Sequence, residues 1–519
     1  MWLRILLASA LVAVTACQTM PPCPARGGPA WRQFSSEHFT LRTDLEPHDA
    51  EEVVHNLEDA RAAMLVGFWA GASGPLDRTQ VIALASHSEL VAFTGLEIEG
   101  LFVRAPPFSP NLIIGSASFL VVESARHELA HDLSQWFLPI QPPWYSEGVA
   151  TFLETIRYDR TRGRVVVGEP SRRRFDAIKR TGIVSIEHLF GPMPEDVREL
   201  GRFEDSSWLL MFYLLNHRTD GFLDLQRRLA RLEPARNAWR ATFPDLDADQ
   251  LSRTLDVYVR SARFVVKSIP LAPWRGETEM RQLTDAEVHG LRAYLFAKAH
   301  LPTKPVLAQA EIDEALRVDP SVLDALAVAF YAPEVRIDTP QPELARRAVS
   351  AHPESWLVAW VMTADSTSSR DPARLTALAR ALEVAPDQPE VLTRLAALKA
   401  SSGDWDEALA FSTKALRTGV VRPDLWMIRL AALANTGRCA EAALLASAVT
   451  GYLAPTQARV VTKAWQELRL VCTSRTVPSR PRPDNVTPAD GPGASVGRPR
   501  WRSVNARRES SESDSRPTG

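Results

Sequence analysis

The stretch His127-Glu128-Leu129-Ala130-His131 decides how the first half of this 519-residue chain is interpreted. It lies inside a run of helical periodicity from about residue 118 to 137. Residues four apart share one face of a helix, so the two imidazoles can bind one tetrahedral zinc ion. Glu128, rotated by one residue, reaches a water molecule on that metal without being a ligand. The spacing therefore predicts a zinc site in which Glu128 acts as the general base.

A second stretch, Pro143-Trp144-Tyr145-Ser146-Glu147-Gly148-Val149-Ala150, begins the next predicted helix. Together the two stretches resemble the gluzincin metallopeptidases, above all their aminopeptidase-like and peptidase-MA-like branches. In those enzymes a glutamate on a second helix is the third zinc ligand. The resemblance implies that His127, His131 and Glu147 bind zinc and that Glu128 is catalytic. It also implies that the tryptophan packs under the site and that the small Gly-Ala pair lets the two helices approach closely.

The resemblance further implies hydrolysis of a peptide bond by zinc-bound water, assisted by Glu128. One position departs from the pattern. The tyrosine that donates to the oxyanion in aminopeptidase-like gluzincins falls on Phe203, which cannot donate. Four other side chains are candidates for the missing oxyanion donor: Tyr145, Tyr158, Tyr213 and His217. No feature of the sequence selects one of them. The neighbouring acids, Asp132 and Glu154, are interpreted as solvated groups or as outer partners of the ligands.

Strands and helices alternate up to this motif, and helices follow it. Apolar and β-branched runs predict strands at residues 39–43, 80–85, 101–103 and 111–115, with helices over 50–69 and from about 206 to 265. We therefore predict an α+β domain over residues 31–270, which by the resemblance is zincin-like, with a small mixed sheet plus active-site helices. In gluzincins the strand before the active-site helix aligns the substrate, so residues 111–115 are expected to be an edge strand for peptide addition.

Beyond about residue 285 the chain becomes rich in alanine and leucine. The pattern Gly403-x-x-x-Glu407-Ala408 returns 34 residues later as Gly437-x-x-x-Glu441-Ala442, and prolines recur near that spacing at Pro320, Pro353, Pro386 and Pro423. This period resembles the tetratricopeptide repeat, which implies an all-α solenoid over residues 285–472 that binds a protein partner. An irregular helical bundle is the alternative. Cys439 and Cys472 lie about one repeat apart and are a possible disulfide, which requires Cα atoms within about 7 Å.

The first 16 residues predict an export signal, because a positive Arg4 precedes an apolar run too short to span a bilayer. The run ends in Val14-Thr15-Ala16-Cys17, which resembles the lipobox of bacterial lipoproteins. That resemblance implies a lipid on Cys17 and a membrane anchor in the bacterial cell envelope, where Gln18 in place of aspartate favours the outer membrane. A plain signal peptide with an incidental cysteine is the alternative.

Two further segments are predicted to lie outside the folded domains. Residues 17–30 are interpreted as a tether, with Cys23 as an incidental cysteine. Residues 474–519 are rich in arginine, serine and proline and poor in aliphatic residues, so they are predicted to be a disordered tail. The tail is either merely solvated or touches an anionic surface. The whole chain carries 60 basic and 62 acidic residues, and this balance argues against nucleic acid as a partner.

Two functions follow from these patterns. The first is a membrane-anchored zinc peptidase that acts on a peptide or protein substrate, with repeats that bind a protein partner. The second is a catalytically inactive zincin-like lipoprotein that serves as a repeat scaffold in the envelope, which the phenylalanine at position 203 favours. A zinc ion with only a structural role is a third option. Three ligands with an open fourth position fit catalysis better than that role.

Overall fold

A computed structural model of the chain describes residues 22–75, 78–95, 100–103, 111–115, 119–194, 196–261, 263–297, 304–331, 341–353, 355–358, 372–418, 423–450 and 455–475. The predicted signal peptide, the predicted lipid site Cys17 and the predicted tail beyond residue 475 lie outside the described residues. These three therefore stay predictions.

The described strands form two sheets. They are β1 (Arg32–Ser35), β2 (Phe39–Thr43), β3 (Thr79–Ala83), β4 (Gly100–Val103), β5 (Asn111–Ile114), β6 (Arg157–Asp159), β7 (Arg164–Val167), β8 (Lys267–Pro270) and β9 (Glu279–Gln282). The larger sheet has the order β4-β5-β3-β2-β1-β9, and the smaller one has the order β6-β7-β8. In the larger sheet β2, β3 and β5 run parallel, and the other neighbouring pairs are antiparallel.

Helices make up most of the described chain. Those of the first half are α1 (Pro47–Phe68), α2 (His87–Thr94), α3 (Phe119–Phe137), α4 (Pro143–Leu153), α5 (Arg172–Thr181), α6 (Ile186–Leu189), α7 (Val197–His217), α8 (Thr219–Ala230), α9 (Ala235–Thr242) and α10 (Ala248–Ser261). A mostly helical chain with a small mixed sheet confirms the predicted class at that level. The helix predicted over 118–137 and the strands predicted at 39–43 and 101–103 all have counterparts at those positions.

The strand predicted at the edge of the sheet lies inside it. β5 pairs in parallel with β3 on one side and antiparallel with β4 on the other, where Leu101 stands opposite Ile113. Among the described strands, β4 and β9 are therefore the edges, and the assignment of residues 111–115 as the edge strand was wrong. The short apolar runs predict β4 and β5 as strands. They carry no information about whether β4 pairs with the free side of β5.

Side chains alternate between the two faces of the large sheet. Both faces are covered by helices. Val81 and Leu112 belong to the core built with α1 and α3. Ile82 and Ile113 point the other way and belong to a cluster with Leu291 and other side chains of the next helix, α11 (Asp285–Ala297). The predicted interval between domains, residues 271–284, contains β9, which pairs with β1. The first helix of the second half thus packs directly on the sheet of the first.

In the second half, all the described elements are helices. After α11 these are α12 (Lys304–Val318), α13 (Leu323–Tyr331), α14 (Gln341–Ala351), α15 (Pro372–Val384), α16 (Pro389–Ser402), α17 (Trp405–Arg417), α18 (Pro423–Asn435), α19 (Cys439–Thr450) and α20 (Pro455–Arg475). Gly403 and Gly437, 34 residues apart, make equivalent turns with φ of +84° and +79°, where a side chain would be strained. After each turn the alanine of the repeated motif, Ala408 or Ala442, is fully buried.

The structure joins Cys439 and Cys472 in a disulfide whose Cα atoms are 5.9 Å apart. The bond connects the start of α19 to the end of α20. Within the described residues, none of the helices combines the length and the apolar character that crossing a membrane requires.

The described part of the predicted tether is docked on the fold. Pro24–Arg26 form a turn of 3-10 helix, and the backbone N–H of Ala25 donates to Asp285 Oδ1 at 3.1 Å. Arg26 forms an ion pair with Glu314 of α12 at 3.0 Å. Trp31 is buried. Residues 22–30 of the predicted tether are therefore part of the folded structure, since proline and glycine here shape a docked turn, whereas residues 17–21 lie outside the described residues.

Asp44 and Glu89 form a buried pair of acids beside the sheet. Asp44 follows β2, and Glu89 lies in the first turn of α2, where its Oε2 accepts the backbone N–H of Ala85 at 3.1 Å. Burial and the negative charge of Asp44 together raise the pKa of Glu89 to about 7. Burial also raises the pKa of Asp44. Between about pH 4.5 and pH 7 the folded pair therefore keeps a proton that the unfolded chain would release.

We expect Glu89→Gln to flatten the dependence of stability on pH. The folded protein binds the Glu89 proton more tightly than the unfolded chain, whose glutamate has a pKa near 4.5. The stabilisation is complete below that value and is lost as the pH rises through about 7. Thermal unfolding should show that, between pH 5 and pH 8, the wild type loses on the order of 2 kcal/mol more stability than Glu89→Gln. Exposed Glu52→Gln is the matched control and should leave the wild-type slope unchanged. Equal slopes in Glu89→Gln and wild type would contradict the assignment.

Candidate metal centre

Two consecutive helices carry the residues of the motif. α3 ends at Phe137, before the prolines that cannot continue it, and α4 begins with Pro143 at a position where a missing N–H costs nothing. Leu129 and Leu133 of α3 point into the core, as do Val149 and Leu153 of α4, and all four are at most 2% exposed. This packing sets the two helices side by side with their polar faces toward each other.

The structure brings the three predicted ligands together. His127 Nε2 lies 3.1 Å from His131 Nε2. Glu147 extends one carboxylate oxygen toward each imidazole, with Oε2 at 3.6 Å from His127 Nε2 and Oε1 at 3.7 Å from His131 Nε2. The side chains of the three residues are 14%, 12% and 9% exposed. We call these three side chains the ligand triangle, in which one ligand atom from each residue lies within 4.8 Å of the other two.

These distances fit a zinc ion. In a tetrahedral site with Zn–N and Zn–O bonds near 2.1 Å, neighbouring ligand atoms are about 3.3–3.5 Å apart. In the structure the shortest approaches between these side chains are 3.1 to 3.7 Å, with a different Glu147 oxygen facing each histidine. Two neutral nitrogens and one carboxylate form a donor set that zinc prefers, and three protein ligands leave a fourth position for water or substrate. His127, His131 and Glu147 could therefore hold the metal without rearrangement of their backbones.

Each imidazole is held from behind through its other nitrogen. His127 Nδ1 lies 3.4 Å from Glu154 Oε2, and His131 Nδ1 lies 3.0 Å from Ser146 Oγ. Such outer partners fix the orientation of a ligating histidine and leave its Nε2 for the metal. Glu154 follows α4 directly, and Ser146 lies within it, so the helix that supplies the third ligand also aims the other two.

The charges of the cluster are strongly coupled. Burial alone would lower the pKa of His127, but hydrogen bonds to Glu147 and Glu154 raise it to about 10. Burial and the positive charge of His127 lower the pKa of His131. Although burial opposes it, the nearby histidines lower the pKa of Glu147. These directions favour a protonated, positively charged His127 next to the ionised Glu147 carboxylate. A divalent cation would take the place of the proton on His127.

Arg174 of α5 neutralises the acids behind the site. Its guanidinium is 3% exposed and binds Glu154 through two hydrogen bonds of 2.7 and 2.8 Å. A further nitrogen, Nη1, contacts Asp205 at 2.9 Å and Glu204 at 3.2 Å, both on α7. Burial opposes the ionisation of Glu154, but hydrogen bonds from Arg174 and His127 lower the pKa of this carboxyl group to about 2. Glu154 is therefore an ionised partner of His127.

Asp132 and Glu154 are buried, at 1% and 5% exposure, so the part of the interpretation that called them solvated was wrong. Asp132 accepts a hydrogen bond of 3.0 Å from Thr79 Oγ1 of β3. It therefore ties the motif helix to the sheet. Glu128 is half-buried on α3, and its negative charge contributes to raising the pKa of His127. Its carboxylate thus acts within the electrostatic range of the ligands, as the spacing predicts.

The tryptophan and the glycine that the resemblance expects to support the two helices are both packed inside the fold. Trp144 is 1% exposed and packs against Phe190 and Trp239, at the start of α4. Gly148 faces α7, where a Cβ would come within 3.0 Å of the Ser207 carbonyl oxygen. The small residue therefore permits close approach of α4 to α7, and not of α4 to the motif helix.

The structure does not bring a tyrosine into the position of Phe203. Phe203 lies seven residues into α7 and is fully buried. The Tyr145 hydroxyl accepts a hydrogen bond from Gln226 at 2.7 Å, and the Tyr158 hydroxyl donates to the Leu271 carbonyl at 3.2 Å. The remaining two candidates, Tyr213 and His217, lie near the end of α7 and contact the ring of Tyr258 edge to face. Each of the four side chains thus contacts a residue outside the ligand set.

Sequence reasoning missed Arg174 and Ser146. Ser146 lies beside Glu147 in the quoted stretch, and a helical wheel would have placed it near the histidines. No spacing rule leads to Arg174, which comes from a different helix and reaches the site only through the tertiary fold.

The sequence was compared with models of known protein families and with curated proteins. No family model matches the chain, and no curated protein matches it significantly.

We expect Glu154→Gln to weaken zinc binding about 10- to 100-fold, the usual effect of losing an outer partner of a ligating histidine. The amide keeps the shape of the side chain but loses the charge that holds His127 Nδ1. Competition with a fluorescent chelator would measure the affinity. Glu169→Gln, which changes an exposed glutamate bound to Arg157, is the matched control and should keep wild-type affinity. Equal affinities for Glu154→Gln and the control would rule out the orienting role.

Proposed function

We propose that this chain is a zinc-dependent peptidase of the gluzincin type. The observation that carries the proposal is the triangle of His127, His131 and Glu147, with Glu128 on the same helix. A donor set with two histidines, one carboxylate and an open fourth position is the set that catalytic zinc sites use. Zinc bound there would supply a water molecule acidic enough to ionise near neutral pH and a Lewis acid for a carbonyl oxygen.

The chain's own residues have distinct roles in this proposal. Glu128 accepts a proton from the attacking water and returns it to the amine that leaves. Glu154 and Ser146 hold the imidazoles in place through their Nδ1 atoms. The shielded setting of the ligands keeps the effective dielectric low, which strengthens each of these electrostatic interactions. Because the geometry is already formed, little reorganisation would accompany the reaction.

A peptide or protein is the proposed substrate. β4 lies at the edge of the described sheet and could pair with an extended peptide, a binding mode in which backbone hydrogen bonds supply affinity. The helical second half comes close to the centre as well. Ile140, in the loop between the two ligand-bearing helices, belongs to the hydrophobic cluster built mainly by α17–α20. We propose that these helices are tetratricopeptide-type repeats that bind a protein partner beside the site.

The cellular setting is also a proposal. The lipobox-like cysteine at position 17 supports a lipid anchor in the bacterial envelope, with the outer membrane favoured. An anchored peptidase would act on proteins exported to the same compartment.

One observation favours a second function. Phe203 is fully buried where the resemblance expects a donor to the oxyanion, and loss of one such donor lowers rates by about 10²–10³ in other enzymes. A chain that binds zinc without hydrolysing peptides would be an inactive zincin-like scaffold, and its function would be carried by the helical repeats.

Three variants distinguish these functions. Glu128→Gln should keep one zinc at the centre but lower peptide hydrolysis at least 100-fold, because the base is lost and the ligands are not. Glu147→Gln should lose both zinc and hydrolysis. Glu187→Gln, which alters an exposed glutamate of α6, is the control and should match wild type. Metal analysis and a fluorogenic peptide library measure the two properties.

The pattern of results decides between the proposals. Zinc binding without hydrolysis in the wild type would favour the scaffold. Absence of zinc at His127, His131 and Glu147 in folded protein would refute both the peptidase and its metal centre.

A further inference from the structure

A second group of metal-binding side chains lies where the N-terminal segment docks on α11. One ligand atom from each of Cys23, Asp285 and His289 lies within 4.8 Å of the other two. Asp285 and His289 are four residues apart and share one face of the helix, and Cys23 approaches from the docked turn. Cys23 and His289 are 3% and 4% exposed. This cluster is remote in sequence from the motif of the first centre.

The imidazole of His289 is oriented as a metal ligand is. Its Nδ1 lies 2.5 Å from Glu311 Oε2 of α12, and the other oxygen of Glu311 accepts a hydrogen bond of 2.9 Å from Arg292. A carboxylate on one ring nitrogen fixes the tautomer and leaves the lone pair of the other nitrogen for a cation. Glu311 thus orients His289 through its Nδ1 atom, as Glu154 orients His127.

The nitrogen that remains, His289 Nε2, is buried and makes no hydrogen bond to any described residue. A buried polar atom that makes no hydrogen bond costs about 1–3 kcal/mol, so such atoms usually have a purpose. Asp285 Oδ2 lies 3.5 Å from this nitrogen, close to the spacing of two ligands on one zinc ion. Cys23 Sγ lies 3.4 Å from the other nitrogen of the same ring.

We propose that Cys23 Sγ, Asp285 and His289 Nε2 bind a second zinc ion, with the thiol turning from Nδ1 toward Nε2 of the same ring. A thiolate, an imidazole and a carboxylate together suit zinc, whereas magnesium and calcium take oxygen ligands. Binding converts the Cys23 thiol to a thiolate, and the proton passes to solvent. The site then contains two negative ligands around a divalent cation, so its charge is balanced in an interior that would not tolerate an unpaired ion.

The backbone presents Cys23 to the helix. The Cys23 carbonyl oxygen accepts the N–H groups of Arg26 and Gly28 at 2.8 and 3.2 Å, which closes the turn. Gly28 permits this closure, because a Cβ there would clash with the Pro22 carbonyl oxygen. The other oxygen of Asp285 accepts the N–H of Ala25. The turn is therefore shaped around the side chains that the zinc ion would connect.

A metal at this position would tie the exported N-terminus to the helical half. The ligands are separated by 266 residues at their extremes, so the ion would act as a long-range crosslink. A crosslink across so long a loop removes much conformational freedom from the unfolded chain. It would also pin the chain six residues after Cys17, the proposed lipid site, and so limit how the protein is held at a membrane.

Cobalt distinguishes this site from the first, since only the second contains a thiolate. The test uses the full chain with Cys17→Ser as the parent, in which Cys23 is the one cysteine outside the disulfide of Cys439 and Cys472. Titration with Co²⁺ should give the ultraviolet charge-transfer band of a thiolate ligand. Metal analysis of the zinc form should give two ions per chain.

The variants separate the two centres. Cys23→Ser and His289→Asn should each lose the band and one zinc ion, whereas Glu147→Gln should lose one zinc ion and keep the band. Asp285→Asn, at a less buried ligand, should shift the band and weaken binding at least tenfold even if the other variants fold poorly.

A parent with one zinc ion and a band that depends on Cys23 would support this site and count against the first centre. A folded parent without the band, or a Cys23→Ser variant with unchanged metal content, would show that the cluster is only hydrogen-bonded and would overturn the proposal.

Discussion

A buried guanidinium holds the polar interior of the first half together. Arg174 is surrounded by Glu154, Glu204 and Asp205, and a buried carboxylate without a cation would cost several kcal/mol. Burial and the charge of Glu147 raise the pKa of Glu204, whereas the charge of Arg174 opposes that rise. The ligand triangle depends on this arrangement, because the ion pair places Glu154 and Glu154 aims His127.

The same ion pair connects the helices around the centre. α5 supplies the arginine, α7 supplies two acids, and Glu154 closes the end of α4. Gly148 brings α4 and α7 into contact, and Asp132 ties the motif helix to the sheet. A site built in this way is preorganised, since its ligands are set by packed helices and by partners that are themselves held.

The two halves of the described chain share a hydrophobic core. The large sheet packs on α1 and α3 with one face and on α11 with the other, and β9 from the interval between the predicted domains completes it. The N-terminal segment, expected to be a tether, packs at the same junction. The junction is part of the fold, and the second cluster of ligands lies in it.

Local patterns in the sequence determined a large part of this protein. Helical spacing located α3 and placed His127, Glu128 and His131 on it, and apolar runs located β2 and β4, because these signals depend on residues a few positions apart. Tertiary structure decided the rest. The edge of the sheet, the helix that faces Gly148, the role of Arg174 and the burial of Cys23 all depend on contacts between distant segments. Periodicity carries no information about such contacts, since they are set by how whole helices and strands pack.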